Sequence, residues 1–196
     1  MNDTKTNLLD AAERLIAEHG YAATSLRQII SEAGANLASV HYHFGSKDEL
    51  LDAVIMRHAA PVNARRLALL DRYEAEAKGG AVPVSRILEA FLLPTAQAAA
   101  SNPQFVRVMG RIVAEGMIRT IIEKNFQEVL LRISTALRKS LPALSDDEFR
   151  WRMLFMQGAM GHTMCGAPGN DFERRMTLLV RFLTGGFEAP PQEVQK

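Results

Sequence analysis

The sequence predicts an all-α fold, in which a three-helix head at the N-terminus precedes a larger helical body. Three observations lead to this class. The 196 residues are 47% hydrophobic and 23% charged, as in ordinary globular proteins. Apolar residues recur at helical spacing, whereas strand-forming residues are not gathered in alternating runs. Glycine and proline divide the chain into segments of helical length.

Helix caps define the head. The first helix is expected over residues 4–19, where one apolar stripe precedes Gly20, a typical C-terminal cap. The second helix begins after Ser25, and Gln28 follows at the spacing of a capping box.

A tight turn joins the second helix to the third. Gly34 can adopt the left-handed conformation of such a turn, and Asn36 can cap a short third helix over residues 37–44. Ser46 opens a second capping box and a fourth helix, which is expected to end near residue 60.

The body is predicted to consist of six further helices. Pro61 is compatible with a first helical turn, so a new helix is expected to start there. The stretch 104–140 allows one broken helix or two, and the Pro-rich tail 189–196 is expected to be disordered. The predicted helices of the body are 61–78, 84–100, 104–117, 119–140, 146–165 and 171–185.

Cysteine usage and hydropathy indicate a cytoplasmic protein without a membrane partner. The single cysteine, Cys165, excludes an internal disulfide and fits a reducing compartment. The polar N-terminus lacks the apolar core of a signal peptide. No stretch approaches the ~20 apolar residues that a membrane span requires.

Charge does not favour nucleic-acid binding. The net charge of the chain is +1, and residues 1–50 contain four Lys and Arg against seven Asp and Glu, which is a net charge of −3. Heads that bind DNA are usually basic. Binding would therefore depend on a few well-placed donors.

A helix-turn-helix is nevertheless predicted over residues 25–44, because two capped helices flank a sharp turn. On the third helix, Val40 and Phe44 are expected to pack inward, while the opposite face can enter a major groove. The alternative is a helical protein-interaction module without DNA binding. The residues expected to contact DNA are Ser25, Arg27, Leu37, Ala38, Ser39, His41, Tyr42, His43 and Lys47.

The small residues of the third helix allow close approach to DNA. Ser39 offers a hydrogen bond to a base edge, and Leu37 can touch a thymine methyl group. Tyr42 and His43 can reach phosphates or bases. Phosphates are the expected partners of Ser25, Arg27 and Lys47.

The runs SLRQIISEAG at 25–34 and VHYHFGSKDELL at 40–51 resemble the TetR family of repressors, over roughly residues 8–55. The resemblance implies a homodimer that contacts DNA through Ser39, Tyr42, His43 and Lys47. Two positions depart from the family pattern: His41, where many members carry Tyr, and Leu37, which is often polar or basic. The expected domains are a DNA-binding domain over 1–46, a ligand-binding and dimerisation domain over 47–188, and the tail over 189–196.

A second resemblance extends beyond the head. Residues 36–47 and 149–159 resemble regulators of the PsrA type, which sense fatty acids. This resemblance implies a hydrophobic effector, such as a fatty acid or an acyl compound, that releases a repressor from DNA.

Sensing requires a mostly apolar cavity between helices. Methionine suits a wall that adapts to its ligand, although Met and Phe at helical spacing usually belong to the core. The residues expected to line the cavity are Phe91, Met109, Val113, Met117, Phe126 and Met156.

The last two helices are the expected dimer surface, with the completion of the monomer core as the alternative. A two-fold dimer would place two recognition helices ~34 Å apart, one turn of DNA. Ligand binding would shift the fourth helix and change that spacing. The residues expected at the dimer surface are Phe149, Met153, Gly158, Met160, Gly161, Met164, Met176, Leu179 and Val180.

Nothing in the sequence favours an enzyme, a cofactor or a metal site. His41 and His43 point in different directions on a helix. His162 and Cys165 are three residues apart, but a metal site requires further ligands. The sequence has no glycine-rich phosphate loop and no nucleophile elbow.

Overall fold

The computed structural model describes residues 4–165 and 171–191, without the side chains of residues 164 and 165. Within these residues the chain forms ten helices and no strand. No helix of this described part is long and apolar enough to cross a membrane. The helices are α1 Thr4–His19, α2 Leu26–Glu32, α3 Leu37–His43, α4 Lys47–Glu76, α5 Val84–Ser101, α6 Pro103–Ala114, α7 Ile118–Asn125, α8 Gln127–Ser140, α9 Asp146–Cys165 and α10 Phe172–Glu188.

The bounds of α1, α2 and α3 agree with the predicted helices to within one residue, and side-chain caps at Ser25 and Asn36 set the starts of α2 and α3. Ser25 and Gln28 form the reciprocal capping box, so that prediction is confirmed. At the start of α4, Ser46 caps the N–H of Glu49, but its hydroxyl donates to the Glu49 carboxylate. The second capping box is therefore only half formed.

Pro61 does not begin a new helix. It lies inside α4, which continues for 30 residues from Lys47 to Glu76. A proline in a helix removes one backbone hydrogen bond and displaces the carbonyl four residues earlier. Pro61 is exposed, so water can solvate the disrupted groups while the buried side of the helix stays intact. The predicted fourth and fifth helices are one helix.

The stretch 103–140 forms three helices rather than one or two. The first break follows α6, where Gly116 has a φ of +73°. The second break falls at Phe126, which ends α7 and precedes α8. No glycine or proline marks this second break, so local sequence gave no signal for it.

Two clusters of buried side chains form the interior. The body cluster packs α5 against α10, α4 and α8. The head cluster contains α1, α2, α3 and the first part of α4, but it also includes Val108, Met109 and Ile112 of α6. The apolar stripe of α1 is therefore buried partly against the body.

The last described residues pack on α9. Arg152 donates hydrogen bonds to the carbonyl oxygens of Phe187, Ala189 and Pro190, at 2.6, 2.9 and 3.3 Å. Residues 192–196 of the predicted disordered tail lie outside the described part of the chain.

A buried carboxylate joins three segments where the head meets the body. Glu13 of α1 accepts hydrogen bonds from Arg57 and His58 of α4 and from Asn102, the residue between α5 and α6. Arg57 also binds Asp10 at 2.6 Å. Burial by itself raises the pKa of Glu13, but the hydrogen bonds from His58 and Arg57 outweigh it and hold this pKa below its ordinary value.

Replacing Glu13 with Gln should lower the free energy of unfolding by about 2 kcal/mol at pH 7, because an amide oxygen replaces the buried carboxylate that accepts hydrogen bonds from Arg57 and His58. Because the folded pKa lies below the unfolded value, about 4.5, Glu13 stabilises the protein above pH 4.5. This contribution is lost as the pH falls through the folded pKa. Urea unfolding between pH 7 and pH 3 should show the difference from wild type narrowing.

Glu18→Gln is the matched control, since Glu18 is an exposed carboxylate on the same helix. It should change the free energy of unfolding by less than about 1 kcal/mol. Equal stability of the two variants at pH 7 would contradict the role assigned to Glu13.

Candidate functional site: recognition helix and cavity

The third helix is anchored at its N-terminus by Asn36. The side-chain oxygen of Asn36 accepts the backbone N–H of Ser39 at 2.8 Å and the Ser39 hydroxyl at 3.0 Å. Val40 is fully buried and Phe44 nearly so. Because both ends are held in this way, the opposite face of α3 has a defined orientation toward solvent.

Several residues that are predicted to contact DNA lie on that outward face. The side chain of Tyr42 is 85% exposed, and Leu37 and Ala38 are exposed beside it. Ser39 is half-buried, and its hydroxyl hydrogen is used by Asn36, so its oxygen remains available as an acceptor. Arg27 is exposed as well.

The two histidines of α3 have different surroundings. His41 is exposed, and its Nδ1 donates to the carbonyl oxygen of Gly45 at 2.8 Å, which leaves Nε2 as the acceptor of the neutral ring. His43 is half-buried between two aromatic rings, with ring centroids 5.0 Å from Tyr42 and 6.1 Å from Phe44. His43 thus supports the position of Tyr42.

Lys47, a predicted phosphate contact, packs against the turn that follows α1. Its ammonium donates to the carbonyl oxygen of Tyr21 at 2.7 Å and lies 3.9 Å from the centroid of the Tyr21 ring. Burial lowers the pKa of Lys47, opposed by the nearby Asp48 and Glu115 carboxylates. Because Lys47 ties α4 to the turn after α1, its substitution would disturb the head as well as remove a cation.

The acidic residues of the head do not lie on α3, whose sequence contains no carboxylate. Most of them are engaged elsewhere, with Arg57, with Arg14 or with the Tyr21 hydroxyl. The helix α3 itself therefore carries no negatively charged side chain. These engaged residues are Asp10, Glu13, Glu18, Glu32 and Asp48.

The body contains an apolar cavity of about 90 Å³ between α4, α5, α6, α7, α8 and α9. Four of the predicted lining residues contribute to its wall: Phe91, Met109, Val113 and Phe126. The other two do not. Met156 is fully buried in the body cluster, and Met117 packs against the head cluster at the junction of α6 and α7.

Three polar residues that were not predicted from the sequence also line the cavity: Arg66, Thr95 and Gln157. A signal for Arg66 was present, since it occupies a position between Val62 and Leu70 on the inward stripe of α4. A charged residue within an apolar helical stripe is unusual unless it has a partner.

Two family models match the chain. The model described as "Bacterial regulatory proteins, tetR family" matches residues 8–54, and "Tetracyclin repressor-like, C-terminal domain" matches residues 88–186, just over half of the chain. The chain belongs to the tetR family of bacterial regulatory proteins. It is a transcriptional regulator of that family rather than an enzyme.

Individual relatives agree with this assignment. The HTH-type nicotine-responsive transcriptional repressor HdnoR of Paenarthrobacter nicotinovorans is 51% identical over 51 residues, which is 26% of either chain. This chain therefore matches about a quarter of the length of that relative. SmeT, the repressor of the Stenotrophomonas maltophilia multidrug efflux pump SmeDEF, has a TM-score of 0.65 at 24% identity, covering 94% of this chain and 90% of SmeT.

A TetR-like transcriptional regulator from Rhodococcus sp. RHA1 shares the fold over nearly the whole chain. Its TM-score is 0.64 at 18% identity, and the match covers 95% of this chain and 97% of the other. At such identities the likeness concerns the fold alone.

The predicted dimer residues of this tetR-family regulator fall into different places. Met176, Leu179 and Val180 are buried in the body cluster, where α10 packs on α5, so their assignment to a surface was wrong. Phe149 and Met153 are half-buried against the same cluster.

The other predicted dimer residues, two glycines and two methionines, also have different surroundings. Met160 and Gly161 line the cavity. Gly158 is exposed, with open space beside it. The side chain of Met164 lies outside the described residues.

Instead, α9 and α10 carry a second apolar stripe that faces solvent. Trp151 and Phe155 stack with ring centroids 6.1 Å apart, and Gly158 follows on the same side. The helical spacing of these residues was visible in the sequence, but two apolar stripes on one helix do not reveal which of them is the core. The members of this exposed apolar face are Trp151, Leu154, Phe155, Leu178 and Phe182.

Tyr42→Ala should weaken binding to a selected DNA duplex by about 10- to 100-fold, since the exposed ring is aimed outward. The melting temperature should not change, because the side chain contributes little to the core. Fluorescence anisotropy measures the affinity for a duplex that the wild-type protein has enriched from a random pool. Thermal unfolding measures the melting temperature.

Leu131→Ala is the control, because Leu131 is another large exposed side chain and lies on α8, away from α3. It should bind the duplex as wild type does. Wild-type affinity of the Tyr42 variant would show that the outward face of α3 does not contact DNA.

Proposed function

We propose that this chain is a ligand-responsive repressor that binds a palindromic operator as a homodimer and is released by a small hydrophobic effector. The exposed outer face of α3 carries the DNA-binding part of this proposal, because its inner face is locked by Val40 and Phe44. In this proposal residues 1–46 bind DNA and residues 47–188 hold the effector and the dimer surface. The nine predicted contact residues remain the candidates on the DNA side.

The exposed apolar face supports the homodimer. Five large apolar side chains on two neighbouring helices face solvent, and such patches are typical of interaction surfaces. Gly158 on α9 and Gly185 on α10 have open space beside them, so a partner helix can approach closely. A two-fold axis at this face would set the two recognition helices for adjacent major grooves.

The cavity supports the effector. Both α4 and α6 line it, and both reach the head. On the head side of α6, Arg111 donates to the carbonyl oxygen of Glu18 at 2.9 Å, and Glu115 accepts the N–H groups of Tyr21 and Ala22 at 2.8 and 3.0 Å. A ligand that displaces either helix would move the head, and a coupling of ~1–3 kcal/mol suffices for release.

The apolar wall favours a hydrophobic effector. A fatty acid or an acyl compound is the class that the sequence resemblance suggests. The rival function is a helical protein-interaction module without DNA binding, which needs neither a selected DNA sequence nor a cavity ligand.

Selection from a pool of random duplexes tests the function directly. The wild-type protein should enrich an inverted repeat whose half-site centres lie about 10 base pairs, or a multiple, apart. Affinity for that duplex should fall steeply as salt rises from 50 to 200 mM, because phosphate contacts release counterions. Failure to enrich any sequence would favour the protein-interaction module.

Phe155→Asp should convert the dimer to a monomer, because it places a charge on the exposed apolar face, where Phe155 is 64% exposed. Light scattering coupled to size exclusion measures the mass. Leu131→Asp makes the same kind of change on α8, outside that face, and should stay dimeric. If the Phe155 variant keeps the wild-type mass, the dimer uses another surface.

A further inference from the structure

A buried guanidinium in the wall of the cavity has only neutral partners. Arg66 of α4 is 3% exposed. Its Nε donates to the carbonyl oxygen of Phe91 at 2.8 Å, Nη1 to the side-chain oxygen of Asn63 at 2.9 Å, and Nη2 to the Thr95 hydroxyl at 2.7 Å. The Phe91 ring lies 4.5 Å from Cζ, so its face also attracts the cation.

Among the described residues, the hydrogen-bond partners of Arg66 include no carboxylate. Burial lowers its pKa to about 10, which still leaves the group almost fully charged at neutral pH. Charges that are buried in proteins are normally paired, because loss of water around an unpaired charge is costly. Within the described residues, Arg66 therefore lacks the negatively charged partner that a buried arginine normally has.

The surroundings indicate where this counter-charge would come from. An arginine has five N–H groups, and the three hydrogen bonds leave one on each terminal nitrogen. Apart from Thr95 and Gln157, the other residues of the cavity wall are apolar. The cavity thus combines one cation with an extended apolar surface.

We propose that Arg66 binds the anionic end of the effector, which is an elongated apolar molecule that carries a carboxylate. The carboxylate would accept hydrogen bonds from the guanidinium and supply the missing charge, while the hydrocarbon part would lie along the apolar wall. This assignment rests on the proposed function and specifies the chemistry of its effector. A purely structural arginine that ties α4 to α5 is the competing explanation.

Linear carboxylates from hexanoate to dodecanoate, each paired with its primary amide, provide matched probes of the same length and different charge. At pH 7, calorimetric titration of the wild-type protein should show at least one carboxylate binding about tenfold or more tightly than its amide. Arg66→Met should remove this preference. Arg66→Lys keeps the charge and should retain part of it.

Arg65→Met is the control, because Arg65 is the adjacent arginine of α4 and is exposed. It removes the same charge outside the cavity and should keep the full preference for carboxylate. If Arg66→Met does not fold, two measurements still test the assignment: the preference of the wild-type protein for carboxylate over amide, and the reduction of that preference in Arg66→Lys. A structural arginine predicts a lower melting temperature of Arg66→Met with no change in preference.

Three results would overturn the assignment: equal binding of acid and amide, a preference that survives in Arg66→Met, or no binding of any carboxylate. Measuring how much protein stays bound to the selected duplex after acid or amide is added distinguishes a failure of this assignment from a failure of the proposed function. If an amide releases DNA as well as its acid does, the result supports the repressor function and contradicts an anion site at Arg66. If a carboxylate binds with the expected preference but does not change the affinity for DNA, the result supports the anion site and contradicts the proposal that the effector releases the protein from DNA.

Discussion

The head cannot bury its own apolar residues, and the rest of the structure depends on this constraint. Three helices within about 43 residues supply too little area for an independent core. The stripe of α1 is completed by Val108, Met109 and Ile112 of α6. Since Met109 also lines the cavity, one residue belongs to both the core of the head and the wall of the body cavity. Packing for stability thereby creates a physical link between the two regions.

Polar contacts then fix how the head sits on the body. Glu13 joins α1 to α4 from the interior, and Glu115 holds the turn after α1 from the surface. Gly20 allows this approach, because its φ is +90° and a Cβ there would lie 2.2 Å from the Glu115 carboxylate oxygen. Apolar burial is non-directional, so it favours contact without choosing an angle. The buried and surface carboxylates define that angle.

The sequence predicted those features that are set within a few residues along the chain. Caps at Ser25 and Asn36 determined the helix-turn-helix, and the inward position of Val40 followed from helical spacing. Features that depend on distant partners escaped prediction. Phe126, at the break between α7 and α8, lines the cavity together with residues that are distant in sequence. Pro61 can lie inside α4 because it is on the side of the helix that faces water. The role of Arg66 could not be predicted from local sequence because its partners Phe91 and Thr95 lie on another helix.

The length of α4 relates the cavity to the recognition helix in the proposed mechanism. From Lys47 to Arg66 the helix rises ~28 Å at 1.5 Å per residue. A tilt of about 5° about the Arg66 end would move the head end by ~2 Å, which is more than the tolerance of a hydrogen bond to a base edge. Pro61 lies between the two ends and removes one backbone hydrogen bond, so bending concentrates there. In a two-fold dimer both heads would move, and the change in their separation would be twice that of one head when they move apart along the DNA axis.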